Sequence, residues 1–147
     1  MSPRAGSGVT LPELLAALAV VGLLLGLAVP RLQSALDRVA VREAAHAIAA
    51  AHRGARELAL AEGRITELEV AADSLRIGLR LGAALLPRWA APGPAAEGIA
   101  LTGPAHPLVF APTGLPLGLA NATFVVSRGG ARRQVVISRY GRVRIIP

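Results

Sequence analysis

The apolar run from Val9 to Val29 constrains this chain more than any other feature, because only Thr10, Pro12 and Glu13 interrupt it. As a helix it would span about 31 Å at 1.5 Å per residue, close to the roughly 30 Å of a bilayer hydrocarbon core. The run therefore predicts one membrane-spanning segment. A secretory signal peptide would place a small-residue cleavage site after its apolar region. Pro30 and Arg31 stand there instead, so the run reads as retained. The residues before it, Met1 to Gly8, are short and polar with one charged side chain, Arg4. They read as a leader with its cleavage point at Gly8.

Pro30 removes a backbone donor and tends to kink a helix, yet the helical period resumes beyond it. Leu32, Leu36, Val39, Ala40, Ala44, Ala47, Ala51, Ala55 and Leu58 recur at steps of three and four. Arg31, Arg38, Arg42, His46, Arg53 and Glu57 fall on the opposite face. This is the pattern of an amphipathic, alanine-rich helix, with Gly63 as its C-cap. The expected organisation is a leader over 1–8, a transmembrane segment over 9–30, an amphipathic helix over 31–62 and an antiparallel β domain over 63–147.

After Gly63 the period changes from helical to alternating. Thr66, Leu68 and Val70 alternate with Glu67 and Glu69. Beyond the turn-like Ala72-Asp73-Ser74, the series Leu75, Ile77, Leu79 and Leu81 alternates with Arg76, Gly78 and Arg80. This predicts a hairpin with one buried face. Residues 82–98, which hold Pro87, Pro92, Pro94, Gly93, Gly98 and the single Trp, Trp89, read as a loop. Short strands are predicted at Ile99–Leu101, Leu108–Phe110, Ala122–Ser127, Gln134–Ser138 and Arg142–Ile146, with Arg128-Gly129-Gly130-Ala131 as a hairpin turn. The fold class is thus α+β, a long N-terminal helix packed on a small antiparallel β domain.

The net charge of +7 is unevenly placed. Residues 31–97 nearly balance, whereas residues 98–147 hold six Arg and no acidic residue. All basic residues are Arg, so a phosphate-binding loop of the Gly-rich, Lys-containing kind is excluded. With no Cys there is no disulfide framework and no thiolate metal or redox site. His46 and His52 are six apart, not on one helical face as a metal pair would be, and His106 lies in a loop. No Ser/His/Asp arrangement stands out. The chain reads as a non-enzyme with no cofactor and no metal.

Glu13 is the costly residue. A carboxylate inside an apolar span costs roughly 2.5–3.5 kcal/mol at a helix centre on insertion scales, and less near an interface. It needs a partner. The stretch Gly8-Val9-Thr10-Leu11-Pro12-Glu13-Leu14-Leu15 resembles the signal sequence of type IV prepilins and type II secretion pseudopilins. The resemblance implies that a prepilin peptidase cuts after Gly8 and methylates the new N-terminus at Val9, where the family usually has Phe. It also implies that Glu13 pairs with a terminal amine during assembly. Opposite charges at about 4 Å in a low-dielectric medium offset part of that burial cost.

The C-terminal part resembles one branch, the GspH/FimT family of minor pilins and pseudopilins. The matching residues are Phe110-x-Pro112-x-Gly114 and the run from Val135 to Arg144, which contains Gly141-Arg142-Val143-Arg144. The resemblance implies a filament subunit held in the bacterial inner membrane by a single pass, with its C-terminal domain outside the cytoplasm. Other minor and major pilins or pseudopilins and the prepilin peptidase are the implied partners, with secreted protein cargo or DNA as alternatives. In the DNA-binding members a terminal Gly-Arg-x-Arg is the implied contact. Arg142 and Arg144, two apart on a strand, face one side while Val143 and Ile145 face the core. Their guanidinium groups, about 7 Å apart, can each take a phosphate, with Arg128, Arg132, Arg133 and Arg139 extending the basic surface. The alternative is that these charges are solvated residues that keep an edge strand from pairing.

Overall fold

The computed structural model describes residues 10–118 and 121–147, so Gly8 and Val9 of the expected cleavage site lie outside the described residues. One helix, α1 (Leu11–Glu62), runs unbroken through Pro30. Pro30 has no N–H to donate backwards, and the Ser34 hydroxyl donates to the Pro30 carbonyl at 2.9 Å. The helix stops where the sequence places its cap. Gly63 adopts φ +59°, and Arg64 N–H donates to the Ala59 carbonyl at 3.3 Å, the six-to-one bond of a Schellman ending.

Residues 36–147 form a compact unit. After the helix come β1 (Thr66–Val70), β2 (Ser74–Leu81), β3 (Ala84–Pro92), a 3₁₀ turn (Pro94–Glu97), β4 (Ala100–Thr102), β5 (Leu108–Phe110), β6 (Pro116–Leu117), β7 (Ala122–Arg128), β8 (Ala131–Ile137) and β9 (Val143–Ile146). Two antiparallel sheets result, a five-stranded one in the order β3-β2-β1-β5-β6 and a four-stranded one in the order β4-β7-β8-β9.

The β1–β2 hairpin has the register its alternation demands, with Leu68 opposite Ile77 and Val70 opposite Leu75. Glu67 is largely buried and pairs with Arg80 of β2. The β7–β8 hairpin closes at Gly129-Gly130, with Arg128 opposite Ala131.

Two expectations change. Residues 82–98 are not a loop throughout: Ala84–Pro92 is a strand paired along β2, with a register irregularity at Ile77/Gly78. Prolines argue against a central strand, but β3 is an edge strand, where a missing N–H is tolerated.

The second concerns which arc of α1 meets the core. The buried residues are Val41, Ala44, Ala45, Ile48, Ala49, Ala51, His52, Ala55 and Ala59. Ala44, Ala51 and Ala55 of the expected stripe are buried and Ala40 and Leu58 pack against the core, but Ala47 is exposed and the buried arc extends round the helix to Val41, Ala45, Ile48, His52 and Ala59. Alanine is apolar on every side, so an alanine-rich helix does not mark its inner face sharply. The volume is supplied by the sheets: Leu68, Leu75, Phe110, Phe124, Val126 and Val135 are all at most 1% exposed. Each such side chain contributes about 1.5–3 kcal/mol by leaving water.

His52 is the polar member of this core. It is 1% exposed, packs edge-to-face on Phe110 with ring centroids 5.1 Å apart, and neither ring nitrogen has a hydrogen-bond partner among the described residues. Burial, and then the neighbouring Arg56 and Arg53, lower its pKa from 6.5 to about 4. Between those values the unfolded chain binds a proton that the folded one refuses. Stability is therefore full above about pH 6.5, falls as pH drops toward 4, and levels off below it. The loss is on the order of 3 kcal/mol from this group, since one unit corresponds to about 1.4 kcal/mol. Thermal melts between about pH 4 and about pH 7 should show this slope, and His52→Leu should flatten it.

Candidate functional site

Two parts of the chain carry the residues singled out above. The first is the start of α1. Thr10 lies just ahead of the helix, and its carbonyl accepts the N–H groups of both Glu13 and Leu14 at 3.1 Å. Glu13 therefore sits in the first turn, where the free N–H groups favour a negative charge. Every residue from Leu11 to Ser34 is exposed, including Leu11, Leu14, Leu18, Leu23 and Leu25, each more than half so. An apolar helix segment with these side chains exposed among the described residues has to be solvated by lipid or by other proteins.

The second part is the outward face of the four-stranded sheet. Phe124, Val126, Val135 and Ile137 point to the core, and Val143 and Ile145 of the edge strand β9 pack against it. The alternate residues point outward: Arg144 opposite Val136, and Ile146 opposite Gln134. Arg142 and Arg144 are both exposed, and among the described residues neither forms an ion pair. Their separation along the extended chain is about 7 Å.

The six arginines of the C-terminal segment do not form one surface. Arg128 Nε pairs with Asp37 Oδ1 of α1 at 2.8 Å, and its Nη1 donates to the Glu97 carbonyl at 2.9 Å. That side chain ties the hairpin to the helix and the 3₁₀ turn. Arg133 lies opposite Val126 on the inward-facing row and donates to the Arg132 carbonyl. Arg132 is exposed and outward, but it stands four residues from Val136 on β8, about 14 Å along the strand from the Arg144 row. Arg139 lies over the exposed Tyr140 ring, 5.4 Å from its centroid, next to the turn that leads into Arg142. The exposed cluster is thus Arg139, Arg142 and Arg144 at one end, with Arg132 at the other.

A turn over residues 138–142 aims this cluster. Gly141 N–H donates to the Ser138 carbonyl at 2.8 Å, Ser138 N–H donates to the Arg142 carbonyl at 2.9 Å, and Arg142 N–H reaches the Ser138 hydroxyl at 3.2 Å. Gly141 has φ +76°, and a Cβ there would lie 3.3 Å from Pro116 Cγ. Gly114, with φ +72°, sits against Leu60, where a Cβ would come within 2.9 Å of Cγ. The two glycines thus allow the 111–118 loop to approach both the helix end and the arginine turn. Gly141 positions the backbone and offers no side chain to a ligand. The spacing Phe110-x-Pro112-x-Gly114 is visible in the sequence, but its contact with Leu60 is not. No group of three or more His, Asp or Glu side chains suited to a metal occurs among the described residues.

Residues 44–141 match the family described as type II transport protein GspH. The chain is 34% identical to the pilin-like protein PilA1 of Thermus thermophilus, over 94% of this chain and 97% of that one. In fold it is similar to the type IV minor pilin FimU of Pseudomonas aeruginosa, with a TM-score of 0.62 at 21% identity over 73% of this chain and 88% of that one. It is also similar to the minor pseudopilin EpsH of the Vibrio cholerae type 2 secretion system, with a TM-score of 0.58 at 14% identity over 72% and 95%. Both solved structures share the fold of a long N-terminal helix on a small antiparallel β domain.

The glycine and the arginines should separate on mutation. Gly141→Ala forces a left-handed residue with a Cβ and should cost about 1–2 kcal/mol. Arg142→Gln and Arg144→Gln, on exposed side chains, should each stay within about 0.5 kcal/mol. Thermal or urea melts of the three variants measure the difference.

Proposed function

This chain belongs to the GspH family, the minor pilins and pseudopilins of type IV pilus and type II secretion machines, and from that premise we propose that it is a non-enzymatic subunit assembling with other pilin-like subunits into a filament or its tip. The observation that carries the reading is α1 itself. Its first half is apolar and exposed all round, a carboxylate sits in its first turn, and the same helix continues into the core of a folded domain. A span preceded by a short polar leader ending in glycine is suited to cleavage after Gly8, with Val9 as the methylated N-terminus. Glu13 then pairs with a terminal amine as the helix leaves lipid for a bundle of like helices, which offsets the cost of carrying a charge there. The inner membrane holds the span before assembly, and the β domain faces outside the cytoplasm.

In a host with its own prepilin peptidase, the chain purified from membranes should have the intact mass of a form starting at Val9 with one added methyl group. Glu13→Val should leave the start at Val9, the added methyl group and the membrane location unchanged yet lose co-purification with the other pilin-like subunits. A mass retaining Met1, or undiminished co-purification, would remove the reading.

The exposed Arg144 on the edge strand β9, with exposed Arg142 in the turn just before it, favours a second reading, contact with the phosphates of DNA. Among the described residues the exposed aromatic ring beside this pair is Tyr140, so the contact would be sequence-tolerant and electrostatic. The affinity for duplex DNA should be micromolar or weaker and fall steeply with salt, with a log–log slope of about −0.9 per phosphate neutralised. Replacing both Arg142 and Arg144 by Gln should flatten that slope by up to about two units. Equal binding by the double variant, or none at low salt, would leave the basic strand a structural edge.

A further inference from the structure

Part of the apolar arc of α1 lacks a full partner. Ala47 and Ala50 are exposed, and Gly54 and Leu58, the next positions on the same arc, are only half-buried. Together they form one wall of a groove of about 480 Å³ whose other wall is the inner face of the edge strand β3. Trp89 lies opposite the buried Ile77 and so points inward, yet it stays 43% exposed because the small helix residues do not cover it. Ala91, opposite Leu75, continues that wall. A smaller hollow of about 150 Å³ shares Ala47, Leu75 and Pro92 and extends the groove toward the N-terminal side. The whole follows α1 from Glu43 to Leu58, about 24 Å at 1.5 Å per residue.

The chemistry of the walls selects the occupant. Arg88 stands at one end, Glu43 and Glu97 at the other, and the side chains between them are apolar. An extended peptide lying there would find few partners for its N–H and C=O groups, whereas a helix satisfies its own. The alanine and glycine wall lets a second helix come close, at the 8–10 Å spacing of packed helices. The end charges ask for an acidic residue beside Arg88 and a basic one beside Glu43 and Glu97.

We propose that this groove docks an amphipathic helix of a neighbouring subunit, about four turns long, apolar on one stripe and oppositely charged at its two ends. The inference rests on the assembling-subunit reading given above and adds where a partner sits. The docked helix covers Trp89 and completes the helical layer over β3.

The test uses the full chain in lipid nanodiscs, with Trp89, the single Trp, as the reporter. Three synthetic helices of about sixteen residues, the length of the groove, share one Leu/Ala stripe. One carries Glu at one end and Lys at the other, one carries Lys at both ends, and one carries Glu at both. The bipolar helix should give a saturable blue shift of Trp89 emission and bind at least about tenfold more tightly than the other two. Arg88→Glu should transfer the preference to the doubly basic helix, and Ala50→Phe, at an exposed position, should abolish the shift for all three. A shift from none of them, a preference unmoved by Arg88→Glu, or saturation by decanoate with no response to the helices would overturn the proposal, the last result marking an amphiphile site. In cells, Ala50→Phe should lose co-purifying pilin-like subunits. If it keeps them at the wild-type level the groove is not the contact, while a wild-type chain that co-purifies none refutes the assembling-subunit reading and leaves the groove to the peptide titration.

Discussion

The contact between the alanine-rich face of α1 and the large side chains of the two sheets is what the remaining structure depends on. Ala45, Ala55 and Ala59 are fully buried, and Ala49 nearly so. None projects beyond its Cβ, so the sheets come close to the helix and Phe110, Phe124 and Leu68 fill the space between. A helix face of Leu and Ile would need smaller side chains opposite it. Here the helix face is small at its alanines, with Val41, Ile48 and His52 projecting between them, and the sheets supply most of the remaining bulk.

Polar groups also sit in and around this core. His52 occupies a buried place in the core, where burial favours its neutral form and its ring packs edge-to-face with Phe110. Asp37 and Arg128 sit at the periphery, partly exposed, where an ion pair costs little desolvation and ties a hairpin to the helix. Charge alone groups Arg128 with a ligand-binding set. Its partners, Asp37 and the Glu97 carbonyl, lie far away in sequence, and no local pattern announces them.

The C-terminal arginines show how a strand converts spacing into direction. Arg144 is outward because Val143 and Ile145 on either side of it have a core to reach, and Arg142 stands exposed just ahead of that strand. Arg132 and Arg133 are neighbours in sequence and so cannot share a face, and the β8–β9 register puts Arg132 at the far end from Arg144. Counting charge in the segment overstates the surface because parity and register divide it. The turn at Gly141 and its approach to Pro116 then set where the exposed pair points.

Much of this molecule is local, and local features are legible in a sequence. The apolar run, the Gly63 cap, the β1–β2 alternation and the Gly129-Gly130 turn each depend on residues within a few positions of one another, and each appears where its pattern places it. The resemblance of the first residues and of the Gly141-Arg142-Val143-Arg144 run to pilin-like proteins is equally a property of the sequence. What tertiary structure alone decided was which neighbour each apolar surface meets. Hydropathy cannot rank Ala47 against Ala49, because alanine scores alike whether it faces a sheet, a groove or water; only the sheets packed on one side of α1 buried Ile48 and Ala49 and left Ala47 open.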